Sequence, residues 1–251
     1  MAATLDSKSN ITFTNVDIVS WAHTLGGGLD LVLVVFIGQA GGLQPVTTVT
    51  YGAQNLSQVP SSRATGTITA SELWQLADGV PPSGNQTITV TMGNVVELTC
   101  GAIVAKDASQ GTPVFGTVTS VNTGAGVTAV SGTVSSGTDE LSMCAFHETI
   151  GTRGITTDTG TEAWNQGITG LSQGAGSYIT GSASAVHNWT SSTGGEWCLS
   201  GVSIKAKAFP SPLKSSNRIT LMRSGIATFP AELDVNTWYR SLVECLRMVF
   251  A

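Results

Sequence analysis

Leu29 to Val59 reads LDLVLVVFIGQAGGLQPVTTVTYGAQNLSQV, and this stretch decides the fold. Residues 31–37 form an unbroken run of mostly branched apolar side chains, closed by Gly41-Gly42 and Pro45. A run without alternation, bounded by turn residues, predicts a central strand buried on both faces. From Val46 to Tyr51 the text changes: Val49 and Tyr51 alternate with Thr48 and Thr50. Side chains of a strand point to opposite faces in turn, so this second run predicts a neighbour with one wet face.

The same period of two recurs along the chain. Trp21, His23 and Leu25 share one face, as do Glu72, Trp74 and Leu76, then Ile88, Val90 and Met92, then Leu98, Cys100, Ala102 and Val104. Leu141 to His147 (LSMCAFH) reads as a strand, and residues 178–189 and 196–206 as a final strand pair. Residues 60–67 and 151–176, rich in Gly, Ser and Thr, are expected as loops. Short strands separated by Gly/Pro/Ser turns imply a β-sandwich or barrel. No period of 20–50 residues recurs, which argues against a solenoid.

Three segments follow from this reading. Residues 1–10 are a polar N-terminal arm, 11–209 the β-sandwich, and 210–251 a C-terminal extension announced by Pro210 and Pro212. Within the extension, Trp238, Leu242, Cys245 and Val249 recur at helical spacing, with Tyr239, Leu246 and Phe250 widening the stripe. The extension is therefore expected as an amphipathic helix, with an edge strand as the alternative.

Composition narrows the function. The 251 residues contain 41% hydrophobic but only 11% charged residues, against about a quarter charged in ordinary globular proteins. Such a surface is covered by Ser, Thr, Asn, Gln and Gly, which suits an exposed strand-rich protein or one occupied by partners. With a net charge of −5 and no basic stripe, nucleic-acid binding is not expected. Residues 31–37 fall far short of the ~20 residues of a membrane helix. The start MAATLDSKSN lacks a basic region followed by an apolar one, so synthesis in a cytoplasm is expected.

Candidate chemistry is sparse. His23, His147 and His187 are far apart and each falls in a strand pattern. No HExxH or phosphate-loop motif occurs, and no acids alternate along a strand as glycoside hydrolysis on such a scaffold would require. Cys100, Cys144, Cys198 and Cys245 form no CxxC pair, and the first three read as small buried hydrophobes. Asp158 to Glu162 places two acids in a Gly/Thr loop, a weak calcium pattern read as a solvated loop. No catalytic residue, cofactor or metal is expected, and the chain is read as a non-enzyme. Trp164-Asn165-Gln166, an aromatic flanked by amides, is the candidate sugar-binding platform. Trp21, Trp74 and Trp197 fit core faces.

The order of segments resembles small jelly-roll domains of phage virion proteins. That family shares slots of the form LLVVxVxx, VTSVTYGGxxLTxV, xELWxL, TVTVTxS and a closing WxxxxVSIKP-like strand. Here they read LVLVVFIGQ (31–39), VTTVTYGAQNLSQV (46–59), SELWQLAD (71–78), QTITVTMG (86–93) and EWCLSGVSIKA (196–206), with Ala53 in place of the second Gly of the YGG turn. The resemblance covers residues 11–207 and implies an all-β, antiparallel two-sheet jelly-roll sandwich. It further implies a capsid decoration or cement protein, most simply a homotrimer, that clamps the major capsid protein or other virion subunits. A carbohydrate-binding module of a phage tail or cell surface is the alternative use of the same architecture. On the first reading, Trp238, Tyr239, Leu242, Leu246 and Phe250 dock on a partner, because together they would leave a large exposed apolar patch.

Overall fold

A computed structural model describes residues 2–26, 30–41, 43–76, 84–111, 114–149, 155–168 and 170–208. The chain divides into two units, Met1–Phe209 and Pro210–Ala251, and the described residues lie in the first. The expected helix and the five aromatic and leucine contacts of the extension fall outside them.

Among the described residues the molecule is all-β, with two antiparallel sheets. The first half of the chain supplies β1 (Thr4–Thr24), β2 (Val32–Ala40), β3 (Val46–Tyr51), the short β4 (Gln54–Asn55), β5 (Ser57–Gln58) and β6 (Ala64–Thr65), then β7 (Thr69–Gln75) and β8 (Asn85–Lys106). The second half supplies β9 (Phe115–Ser135), β10 (Leu141–Thr149), β11 (Ile155–Thr157), β12 (Thr161–Ile168), β13 (Ser172–Thr180) and β14 (Ser184–Ile204). The expected two-sheet sandwich is thus observed, and its sheets are filled in succession: β1–β8 form one and β9–β14 the other.

The run at residues 31–37 becomes β2, paired with β8 on one side and β7 on the other. Every residue of it is buried, and its two faces feed two cores. Leu33, Val35 and Ile37 enter the core of their own sheet, while Val32, Val34 and Phe36 enter the core between the sheets. That double burial is the physical reason the sequence shows no alternation there.

Strands as long as β1 and β8 must bend to stay within a domain. At about 3.3 Å per residue, the 22 residues of β8 would otherwise span roughly 70 Å. The β1–β8 ladder shifts register between Phe13 and Val16 and again before Ile18, where Asn15 has φ 51°. Such bulges kink a strand and sharpen its twist. The N-terminal half of β8 pairs with β3 and its C-terminal half with β2. The sheet therefore folds over itself, and Val19, Trp21, Tyr51, Ile88 and Val90 cover Leu33, Val35, Leu98 and Cys100. In the second sheet β9 and β14 shift register between Thr190 and Gly195, closing a core of Val130, Val134, Trp189, Cys144, Phe146 and Leu199.

The two halves follow one plan. The ladder β9–β14 repeats β1–β8, β10 sits between β13 and β14 as β2 sits between β7 and β8, and β11 pairs with β14 as β3 does with β8. The burial faces match as well. Cys144 and Phe146 take the places of Val35 and Ile37, and Leu141, Met143 and Ala145 those of Val32, Val34 and Phe36. In this correspondence Gly38 is the equivalent of His147, and the two meet: a Cβ built on Gly38 lies 2.5 Å from the His147 Cβ. Contact between equivalent positions fits a pseudo-two-fold arrangement of the two halves. At the level of strands, contacts between the halves run both ways. Lys8 of β1 donates to the Glu162 carbonyl of β12 (2.8 Å), and Asn122 of β9 donates to the Thr65 carbonyl of β6. The two halves of the sandwich thus share one strand plan.

Three segments differ from expectation. Thr4 to Asn10 are not an arm but the first part of β1, paired with Gly101 to Lys106. Within residues 151–176, the part described holds β11, β12 and the start of β13 rather than long loops. The strand expected from Tyr178 to Trp189 is broken at Gly181, which has φ 67°, so β14 begins earlier and runs through residues 184–204 without interruption.

Candidate functional site

The three histidines were the obvious candidates for chemistry, and the fold seals all of them. His187 is 0% exposed, with Nε2 bonded to Ser142 Oγ (2.8 Å) and Nδ1 to Ser177 Oγ (2.7 Å). Its ring stacks on Trp189 with centroids 6.1 Å apart. A Ser–His contact is what activates a nucleophile, yet Ser142 and Ser177 are as buried as the imidazole, so no substrate reaches them. His147 Nδ1 bonds Thr99 Oγ1 at 2.6 Å. His23 Nδ1 bonds Ser9 Oγ at 2.7 Å, and that hydroxyl also accepts from Trp21 Nε1 at 2.9 Å. His187 ties together three strands, His147 two, and His23 two bent halves of one strand. Cys100, Cys144 and Cys198 are free, buried thiols, as expected, and burial raises all three above the ordinary thiol range.

Burial also sets the charge state of the histidines. It pushes His187 and His23 down to about 4, against an opposing pull from Asp6 on His23, and His147 down to about 3. All three are neutral at neutral pH. On acidification the unfolded chain takes up their protons first, near the ordinary value of about 6.5, while the folded chain resists. Stability is therefore full above that value and declines as pH falls toward 4 and 3. His147 and His187 each contribute a slope of up to about 1.4 kcal/mol per pH unit. Urea midpoints measured from pH 7 to pH 4.5 should fall accordingly, and His187→Gln should flatten the profile. A midpoint independent of pH would contradict the burial.

The expected sugar platform is not presented as a surface. Trp164 lies in β12, is 5% exposed and belongs to the core between the sheets. Asn165 is spent inside the sheet: its Nδ2 donates to the Ile155 carbonyl (2.8 Å) and its Oδ1 accepts from Gln173 Nε2 (2.8 Å). Gln166 alone of the three is exposed. In the acidic loop, Asp158 Oδ2 accepts from Thr190 Oγ1 (2.6 Å) and Glu162 Oε2 from Thr157 Oγ1 (3.1 Å). Among the described residues no group of three or more His, Cys, Asp or Glu could hold a metal ion.

The structure assembles one concave polar site that the sequence did not signal. A cleft of about 280 Å³ opens where the two halves meet, lined by residues 65–67 of the first half and by 122–124 and Glu196 of the second. β6 and the turn after it bring the first set, β9 the second, and the start of the buried part of β14 the carboxylate. Glu196 is 6% exposed, and its Oε1 accepts the backbone N–H groups of Ile68 (3.0 Å) and Thr69 (3.3 Å). Gly66 is required for this approach, because a Cβ there would lie 2.0 Å from Glu196 Oε1. The deeply buried carboxylate of the first half, Glu72, is instead paired with Arg63 (3.2 Å) and Gln58. Burial raises its carboxyl above the usual range, and Arg63 opposes the rise. No signal in the sequence could have joined these three segments, because they are distant along the chain and each reads as ordinary turn or strand.

Compared with known protein families, with curated proteins and with solved structures, the chain shows no match.

Proposed function

We propose that the chain is a non-enzymatic structural protein of a virion, a capsid decoration or cement subunit that clamps neighbouring capsid subunits and acts as a homo-oligomer, most simply a trimer. The observation that carries this reading is where the reactive side chains go. His23, His147, His187 and the three described cysteines are all consumed inside the fold, while the surface is built from Thr, Ser, Asn and Gly with few charges. Such a molecule offers contact area rather than chemistry. Three stacked cores and bent strands of 21 and 22 residues give a rigid block suited to bearing load between larger subunits. The five sequence slots shared with phage jelly-roll domains point the same way. On this reading the protein is made in the host cytoplasm and works on the particle, and Trp238, Tyr239, Leu242, Leu246 and Phe250 anchor it to the major capsid protein or another virion subunit.

Co-sedimentation with capsids of the encoding virus that lack the subunit tests the proposal. The full chain should bind saturably and raise the temperature at which the particles rupture. Truncation after Lys207 should lose most of the binding, since a single buried aromatic anchor contributes about 2 kcal/mol or more. Undiminished binding by the truncated chain would remove the extension from the mechanism, and absence of binding by the full chain would remove the decoration role.

A further inference from the structure

The cleft at Glu196 has a chemistry that a passive contact surface does not use. Its carboxylate is held in place before any ligand arrives: Oε1 is fixed by the Ile68 and Thr69 amides, and the side chain is 94% shielded from solvent in its 6% exposed setting. No described residue donates to Oε2. Among the described residues no lysine or arginine lines the cleft, and Arg63 is already paired with Glu72. What surrounds the carboxylate is neutral and oxygen-bearing: Thr65, Thr67, Thr123 and Asn122, whose Nδ2 is committed to the Thr65 carbonyl. An acceptor-lined site with one fixed negative charge selects a small cation rich in N–H donors.

We propose that this cleft is a socket for a primary ammonium group, as carried by a lysine side chain of a protein partner. The proposal goes beyond the structural role and does not rest on it. Its volume of about 280 Å³ admits a head group together with the end of the stem that carries it. Among the described residues no aromatic ring lines it for stacking on a sugar. A hard divalent ion asks for six or more oxygen ligands, several of them carboxylates, and one carboxylate is present. A guanidinium gains most from two free oxygens on one carboxylate, whereas Oε1 already carries two N–H donors. An ammonium is a compact point charge with three donors and needs a single free oxygen with neutral acceptors around it.

Amide spectra of the full-length ¹⁵N-labelled protein test this, with Ile68 and Thr69 as reporters and Nα-acetyl-lysine methylamide as the probe. The expected result is saturable shifts at these two amides. The trimethyl-lysine derivative, with the charge but no donors, should bind at least tenfold more weakly. Glu196→Gln should also weaken the lysine probe at least tenfold, and Thr67→Glu, which adds a second carboxylate at the exposed rim, should tighten it several-fold. Non-saturating shifts, equal binding of the trimethylated probe, or unchanged binding in both variants would each overturn the proposal. If Glu196→Gln proves unfolded by its spectrum, the probe comparison and Thr67→Glu decide alone.

Discussion

Trp164→Ala is expected to destabilise the fold by about 3–5 kcal/mol, the usual cost of truncating a buried aromatic to alanine. The indole sits in a slot made by two glycines: a Cβ on Gly101 or Gly176 would lie 2.3 or 2.4 Å from its ring. Phe36 closes the slot with ring centroids 6.1 Å apart. The surrounding strands are fixed in ladders on both sides, so the cavity left by the indole has little chance to collapse. A loss of this size is a large share of the roughly 5–15 kcal/mol that holds a typical protein folded. Chemical denaturation followed by far-ultraviolet circular dichroism measures it, and a loss below about 1 kcal/mol would show that the indole lies outside the core. One practical point follows. A glycan-binding assay that uses Trp164→Ala as its negative control would report on folding rather than on recognition.

The second large effect is expected where the two halves meet. Gly38→Ala places a methyl group 2.5 Å from His147 Cβ and 2.8 Å from its Cγ and Nδ1. Both residues lie in central strands, β2 and β10, each held by neighbours on both edges, so neither backbone can retreat cheaply. Overpacking of this kind costs about 1–3 kcal/mol. The partner can be tested directly. Gly38→Ala combined with His147→Gly should be less destabilised than the sum of the single changes, because the colliding atoms are then reduced to one methyl group. Residues in contact couple in this way. Strict additivity would mean that the two positions do not meet.

Much of the architecture was legible in the residues. β2 stood out because an apolar run without alternation has one meaning in an all-β context, and Trp21, His23 and Leu25 alternate with exposed neighbours as a half-buried strand must. Residues 151–176 read as loops because glycine and threonine are ordinarily loop residues. Here Gly174 and Gly176 are strand positions kept small so that Thr99 of the facing sheet and Trp164 of the neighbouring strand β12 can approach. Residues 4–10 looked like a mobile arm because they are polar; they are half-buried at a sheet edge, where only the backbone pairing demands a strand. The shared strand plan left no trace in residue identity. Gly38 answers to His147 and Val35 to Cys144, so only the pattern of buried faces is shared, and that pattern appears once the ladders are known. The cleft was invisible for a related reason: its charge and its donors come from strands that meet only through the packing of one half on the other.

The two halves also govern the order in which the chain can be made. The first strand of each half pairs with the last strand of the same half: Thr4 with Lys106, and Phe115 with Ile204. At about 5–20 residues per second, β1 leaves the ribosome on the order of ten seconds before β8 exists to receive it. During that wait a 21-residue strand stands without a partner, which is the condition under which strands seek the wrong one. β1 carries Asp6, Lys8 and Asp17 through this interval. β9, equally long, carries no charged residue at all, but it emerges after the first half has completed its sheet. β9 waits about as long for β14 as β1 does for β8, but it waits beside a sheet that is already complete.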